Sequence, residues 1–212
     1  EPVAKINEAT RLAASHDMDS LNRMLVKVNE KLSVLATGAD PMLEQMVEGH
    51  EYEALIDMLM ASYPVVIVDL SGATPALKKT VVAKAHDLFL VTTPTLPALR
   101  SARTLMQEIK ALHGGALHGV DLVVNMQGMF PGKEVPRGDI KTALGRDPSV
   151  VIPHDPKIFL GAESEGKKLN EIKGGEEIFD LLLPLARKFV NSSSSQEDIE
   201  QDNEDKGILG QV

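Results

Sequence analysis

The sequence predicts an α/β protein built on a doubly wound, mostly parallel sheet. Two patterns predict it: short aliphatic runs that are continuous rather than alternating, as in strands buried on both faces, and amphipathic stretches of crossover length between them. A third observation is compositional. Across 212 residues, 43% are hydrophobic and 25% charged, enough apolar material for a core and too much for wholesale disorder.

Five runs are candidate strands: Leu32 to Ala36 (LSVLA), Val65 to Leu70 (VVIVDL), Leu88 to Thr92 (LFLVT), Val120 to Asn125 (VDLVVN) and Val150 to Ile152 (VVI). Tyr52, Leu55, Ile56, Leu59 and Met60 recur at helical spacing ahead of Tyr63-Pro64 and predict the first crossover helix. Leu96, Leu99, Ala102, Met106 and Ile109 predict a second, closed by Gly114-Gly115. Ile178, Leu181, Leu182, Leu185 and Phe189 make a third stripe, which Pro184 is expected to kink or restart because its ring displaces a helical hydrogen bond.

Residues 1–190 form the folded domain on this reading, and 191–212 (NSSSSQEDIEQDNEDKGILGQV) an acidic, solvated tail. That tail holds six acids and one base, so −5 of the chain's net −9 lies there and −4 is spread over the other 190 residues. Such a balance gives no bulk electrostatic signal for nucleic acid. With no cysteine, disulfides, thiolate metal sites and thiol nucleophiles are excluded, and a cytoplasmic address fits. No apolar run approaches the ~20 residues of a membrane span, and the start shows no signal-peptide pattern.

In open α/β sheets ligands bind beyond the carboxyl ends of the strands, which directs attention to the residues closing each run. Asp69 ends VVIVD, and Gly72 follows three residues later. A carboxylate there suits a hydrated Mg²⁺, and Gly72 lets a backbone N–H approach a terminal phosphate; a helix cap by Asp69 accounts for the same spacing. Asn125 closes LVVN, where its amide can pair with the edge of a purine, although an Asx turn is the commoner role of such a residue. Pro153 and Asp155 lie in VIPHDP, where Asp155-Pro156 reads as a helix N-cap followed by Pro at the first helical position. The six histidines are scattered and make no metal-ligand set, and neither GxSxG nor GxGxxG occurs, which disfavours hydrolase triads and dinucleotide oxidoreductases. Lys78-Lys79 and Lys167-Lys168 read as solvated helix faces.

The ordered residues also carry a resemblance. YPVVIVDLSGATPALKKTVVAKAHDLFLVTTPTLPALRSAR (63–103), LVVN (122–125) and VIPHDPKIFLGAESEGKKLNEI (151–172) resemble the MinD/ParA group of deviant-Walker P-loop ATPases. Within that group the chain most resembles the CpaE and TadZ pilus-assembly proteins, to which EPVAKINEAT (1–10) and MLVKVNEKLSVLAT (24–37) are similar. No GxxxxGK[ST] string occurs, so the resemblance implies an N-terminally incomplete domain that lacks its phosphate loop and does not turn over ATP alone. It also implies that an interior strand is missing, which leaves two strand edges open and favours oligomers or poor solubility.

The same resemblance implies ATP and Mg²⁺ as cofactors. Asp69 would be the Walker B carboxylate holding Mg²⁺ through water, and Gly72 part of the γ-phosphate switch. Asn125 would contact adenine, with Pro153 and Asp155 in the segment that wraps the base. Implied partners are a second copy in a nucleotide-dependent homodimer and the proteins of a Flp-type (Tad) pilus or secretion system, placing the protein in the cytoplasm, at a pole or peripheral to the inner membrane. A non-catalytic scaffold is the alternative, since Ser71-Gly72 replaces the Pro-Arg or Pro-Pro of many relatives. MinD's membrane-seeking terminal helix has no counterpart in the acidic tail.

Overall fold

A computed structural model describes residues 5–37, 47–117 and 119–188. The acidic tail, Phe189 and His118 lie outside the described residues. The chain divides between Ala85 and His86 into two compact units.

In the first unit, α1 (Ile6–Ala14) buries Ile6, Ala9, Thr10 and Ala13 along one face. Helix α2 (Met18–Met24) starts at Asp17, whose side chain accepts the Ser20 N–H at 2.9 Å and so satisfies one of the donors that a helix start leaves free. Helix α3 (Gly49–Ser62) buries Tyr52, Leu55 and Ile56, three of the five residues in its expected stripe. Tyr52 and Leu55 join Leu21 and Val47 in one core, with Leu59 and Leu77 packed around it. Helix α4 (Pro75–Lys84) is capped by Thr74, whose hydroxyl accepts the Leu77 N–H at 3.3 Å, with Pro75 in the first turn. Lys84 ties α4 to α3 through Asp57 at 2.7 Å and Glu53 at 3.0 Å.

Two sequence expectations fail in this unit. The run at 32–36 supplies a two-residue strand, β2 (Ser33–Val34), that pairs antiparallel with β1 (Val26–Lys27) in a small hairpin instead of joining a parallel sheet. Its side chains are exposed, so it has no buried face to dock. The run at 65–70 forms no regular element and joins no ladder among the described residues. Ile67 is 84% exposed, whereas Val66, Val68 and Leu70 on the opposite face are partly covered. A strand buried on both faces was expected; without paired edges, only one face finds cover.

The second unit contains the parallel sheet. Its order is β3 (Leu88–Thr92), β4 (Val120–Gln127), β5 (Val150–Pro153), with β4 in the middle. The β3–β4 register runs from Leu88 opposite Val120 to Thr92 opposite Val124. Val120, Leu122, Val123 and Val124 are all buried, as a central strand covered on both faces requires. Val123 packs with Val150, Ile152 and Ile178, and Ile178 belongs to a helix over 175–188. That helix runs unbroken through Pro184, so the expected kink or restart is not seen.

Helix α5 (Leu96–Leu112) buries Leu99, Ala102, Met106 and Ile109, leaving Leu96 exposed, and packs on β3 and on α6 (Arg137–Leu144). Helix α7 (Pro156–Glu165) and a 3₁₀ turn, Leu169–Glu171, lead into the helix over 175–188. Gly119 enters β4 with φ +69°, and a Cβ there would lie 2.3 Å from the His86 carbonyl oxygen, so only glycine fits this approach to the start of β3. At the amino ends of the strands, Lys188 bridges Asp121 at 2.7 Å and Asp87 at 3.5 Å. Among the described residues, no helix is long and apolar enough to cross a membrane.

Candidate functional site

The carboxyl ends of β4 and β5 converge on the residues that the sequence singles out. Between Val124 and Gln127 the β4–β5 register shifts: three residues advance on β4 while two advance on β5. This is a β-bulge, a device that redirects side chains near the rim of a sheet. Asn125 sits on it and Met126 adopts φ +61°, a left-handed conformation unusual for a methionine. The Asn125 Oδ1 accepts the Met126 N–H at 2.8 Å, supplying the partner that the interrupted ladder does not.

Gln127 stands opposite Pro153, and its carbonyl accepts the His154 N–H at 2.8 Å. Asp155 then caps α7, its Oδ1 accepting from Lys157 N at 3.1 Å and Ile158 N at 3.2 Å, with Pro156 in the first turn. Asn125, Pro153 and Asp155 therefore stand on neighbouring strand ends. Asp155 takes the helix-cap role that its position favours, whereas Asn125 bonds the very next N–H and not the one two residues on, so the Asx turn expected of it is not formed.

Beside the bulge lies a cavity of about 130 Å³. Met126, Met129, Phe130 and Pro94 make its apolar wall; Thr93, Thr95 and Glu134 contribute the polar groups. The Thr93 and Thr95 hydroxyls hydrogen-bond each other at 3.2 Å, and Val135 N–H donates to the Pro94 carbonyl at 2.9 Å. Glu134 gathers the loop that follows β4: its carboxylate accepts from Gly128 N at 2.9 Å, from Phe130 N at 2.9 Å and from the Gln127 side-chain amide. The Phe130 and Gly128 N–H groups, with lesser help from Met129 and His154, hold this carboxyl below its ordinary titration range. Sequence reading missed Glu134. The available signal was a Met-Phe pair inside the Gly- and Pro-rich loop QGMFPGKE, an apolar content that a purely solvated turn does not need.

Asp69 and Gly72 belong to the first unit. Asp69 Oδ1 accepts the Ser71 N–H at 2.8 Å, which lowers its pKa, so the exposed carboxylate stays ionised in the form that a hydrated Mg²⁺ accepts. It does not cap α4; Thr74 does. Gly72 has φ +70° and nothing within 4 Å of where a Cβ would stand, so its conformation, not crowding, selects glycine.

A nucleotide fits these residues at its ring end, where an apolar cavity adjoins an Asn-bearing bulge. Its phosphate end finds no loop in this sequence. The nearest string, GAESEGKK at 161–168, lacks the closing Ser or Thr, begins inside α7 and turns through its C-cap, Gly166. Its N–H groups at 166 and 167 are already bonded to helix carbonyls. No group of three or more His, Asp or Glu side chains that could hold a metal occurs among the described residues.

Comparison with solved structures decides the fold. A ParA family ATPase from Chlorobium tepidum TLS superposes with a TM-score of 0.71 at 18% identity, over 88% of this chain and 75% of that one. The fold is that of the ParA/MinD ATPases. The Pyrococcus furiosus cell division ATPase MinD matches with a TM-score of 0.67 at 17% identity, over 88% and 77% of the two chains. Pyrococcus horikoshii OT3 MinD, solved in complex with Mg-ADP, gives 0.67 at 18% identity over 87% and 74%. No protein-family model and no curated protein sequence matches the chain.

Proposed function

We propose that this chain is part of a nucleotide-dependent positioning ATPase of ParA/MinD type, acting as a dimer in the assembly of a Flp-type (Tad) pilus or secretion machine. The observation that carries this reading is the convergence of Asn125, Pro153 and Asp155 at the carboxyl ends of adjacent parallel strands, where ligands bind in open α/β sheets. In this reading Asn125 contacts the base, and 153–155 closes over it. Asp69 orders Mg²⁺ through water, and Gly72 gives the following turn the freedom to follow a terminal phosphate. When bound, Mg²⁺ with ATP supplies the charge that orders the 69–72 turn, and loss of the γ-phosphate releases it, shifting the population between two states. The protein works in the cytoplasm and reaches a pole or the inner membrane through its partners.

The test uses a full-length protein containing this chain, with Mg-ATP binding, turnover and nucleotide-dependent dimerisation as readouts. Asp69→Ala is expected to lower turnover and dimerisation together, and Asn125→Ala to weaken binding by about tenfold, as for a lost bidentate base contact. If Asp69→Ala changes neither readout, the catalytic role is wrong. A specific observation favours a scaffold as the second reading: Ser71-Gly72 stands in the turn after Asp69, where the family that the chain resembles commonly has Pro-Arg or Pro-Pro. A scaffold would bind its partner equally well with and without nucleotide.

A further inference from the structure

We infer that Glu134 is a positioning residue that latches the loop 126–134, so that Met126, Met129 and Phe130 form a preset apolar wall for a flat heteroaromatic ring of purine size. The clustering of donors carries the inference. One carboxylate collects two backbone N–H groups and a side-chain amide from within seven residues of chain, all from the segment that builds the cavity wall. The loop's other ties are neutral backbone bonds, Met129 N–H to the Met126 carbonyl at 3.2 Å, Lys133 N–H to the Phe130 carbonyl at 2.9 Å and Val135 N–H to the Pro94 carbonyl at 2.9 Å, whereas charge-assisted hydrogen bonds hold at roughly twice the strength of neutral ones.

The wall is apolar yet open: Met126, Met129 and Phe130 are 40%, 42% and 49% exposed. Exposed apolar side chains on a pinned loop around a cavity mark a surface shaped for a ligand. The cavity, about 130 Å³, is smaller than the roughly 150 Å³ apolar cavity that encloses a benzene ring, so a purine-size ring lies against this open wall instead of being enclosed by it. Phe130 can stack on such a ring, and the two thioethers make favourable contacts at ring edges. Thr93 and Thr95 supply hydroxyls at the rim for ring nitrogens.

The ligand half of the inference rests on the nucleotide reading; the latch half does not. Both are tested on the full chain by NMR, following amide exchange at Gly128 and Phe130 and the methyl signals of Met126 and Met129. Val123 and Val124 amides serve as the control for global stability. Glu134→Ala is expected to speed exchange at Gly128 and Phe130 by about tenfold or more while Val123 and Val124 are unchanged. Glu134→Gln, which keeps one acceptor oxygen but turns a donor toward the Gln127 amide, is expected to fall between the two. Lowering the pH through the Glu134 titration should reproduce the Glu134→Ala effect in the wild type, with the ring signals of the neighbouring His154 followed alongside.

Adenosine, the ring without phosphates, is the ligand probe. It should shift both methionine methyls in the wild type and do so at several-fold higher concentration in Glu134→Ala. Unchanged exchange at Gly128 and Phe130 in Glu134→Ala overturns the latch. Faster exchange with an identical adenosine titration overturns the positioning role. Absence of any adenosine effect on the wild type removes the ring site and leaves the exchange data to decide the latch alone.

Discussion

The runs VVIVDL and VDLVVN look alike in the sequence, yet they end in different states. VDLVVN becomes the central strand β4, paired on both edges and buried at Val120, Leu122, Val123 and Val124. VVIVDL at 65–70 joins no ladder among the described residues and leaves Ile67 84% exposed. An aliphatic, β-branched run thus supplies the disposition to form a strand, while burial and hydrogen bonding come from neighbours that offer edges and faces.

The largest contrast should appear on truncating one side chain in each run. Leu122→Ala is expected to destabilise the second unit by about 2–5 kcal/mol, the range for a buried leucine, whereas Ile67→Ala should change stability by less than about 0.5 kcal/mol. Urea denaturation followed by circular dichroism measures both, and equal losses would mean that 65–70 is buried in solution. A smaller contrast separates two glycines that share a positive φ. Gly119→Ala meets the His86 carbonyl as well as left-handed strain and should cost about 2–3 kcal/mol; Gly72→Ala meets only the strain, about 1 kcal/mol. The midpoints of thermal unfolding should rank the two variants in that order.

The smallest expected effect concerns the ion pairs beneath the sheet. Burial pushes the Asp121 carboxyl upward, but hydrogen bonds from Lys188 and Ser149 and the Lys188 and Arg146 charges outweigh it, leaving the pKa below its ordinary value. A carboxyl with a depressed folded-state pKa adds stability that is present above its ordinary pKa and is lost as the pH falls through the folded value. Lys188→Met should therefore cost about 1 kcal/mol near neutrality, since the lysine is half exposed, and progressively less below pH ~4. Unfolding free energies of both proteins at neutral and acid pH test this; a difference independent of pH would assign the loss to packing.

Much of the second unit was legible because its patterns are local. The stripe through Leu99, Ala102, Met106 and Ile109 is buried as its spacing implies, and Asp155-Pro156 opens a helix with the expected cap. The hairpin at 26–34 was not legible, because two-residue strands carry too few side chains to show a period. Nor was the unbroken helix through Pro184, where the packing of Ile178, Leu182 and Leu185 on the sheet outweighs one lost hydrogen bond. At the candidate site, Asn125, Pro153 and Asp155 could be picked out from their places at run ends. The bulge beneath Asn125 and the Glu134 latch could not, since both depend on register and on contacts made across the loop.

By itself, then, the sequence determined the α/β class, the order of the parallel strands' residues, the Asp155 helix cap and the candidate residues at strand ends, because each follows from side chains within one or two turns of each other. Tertiary structure decided which aliphatic runs became paired strands, where β4 bulges and which carboxylate holds the cavity loop. Those outcomes require hydrogen-bond partners and covering faces from distant parts of the chain, and no local pattern encodes whether they will be met.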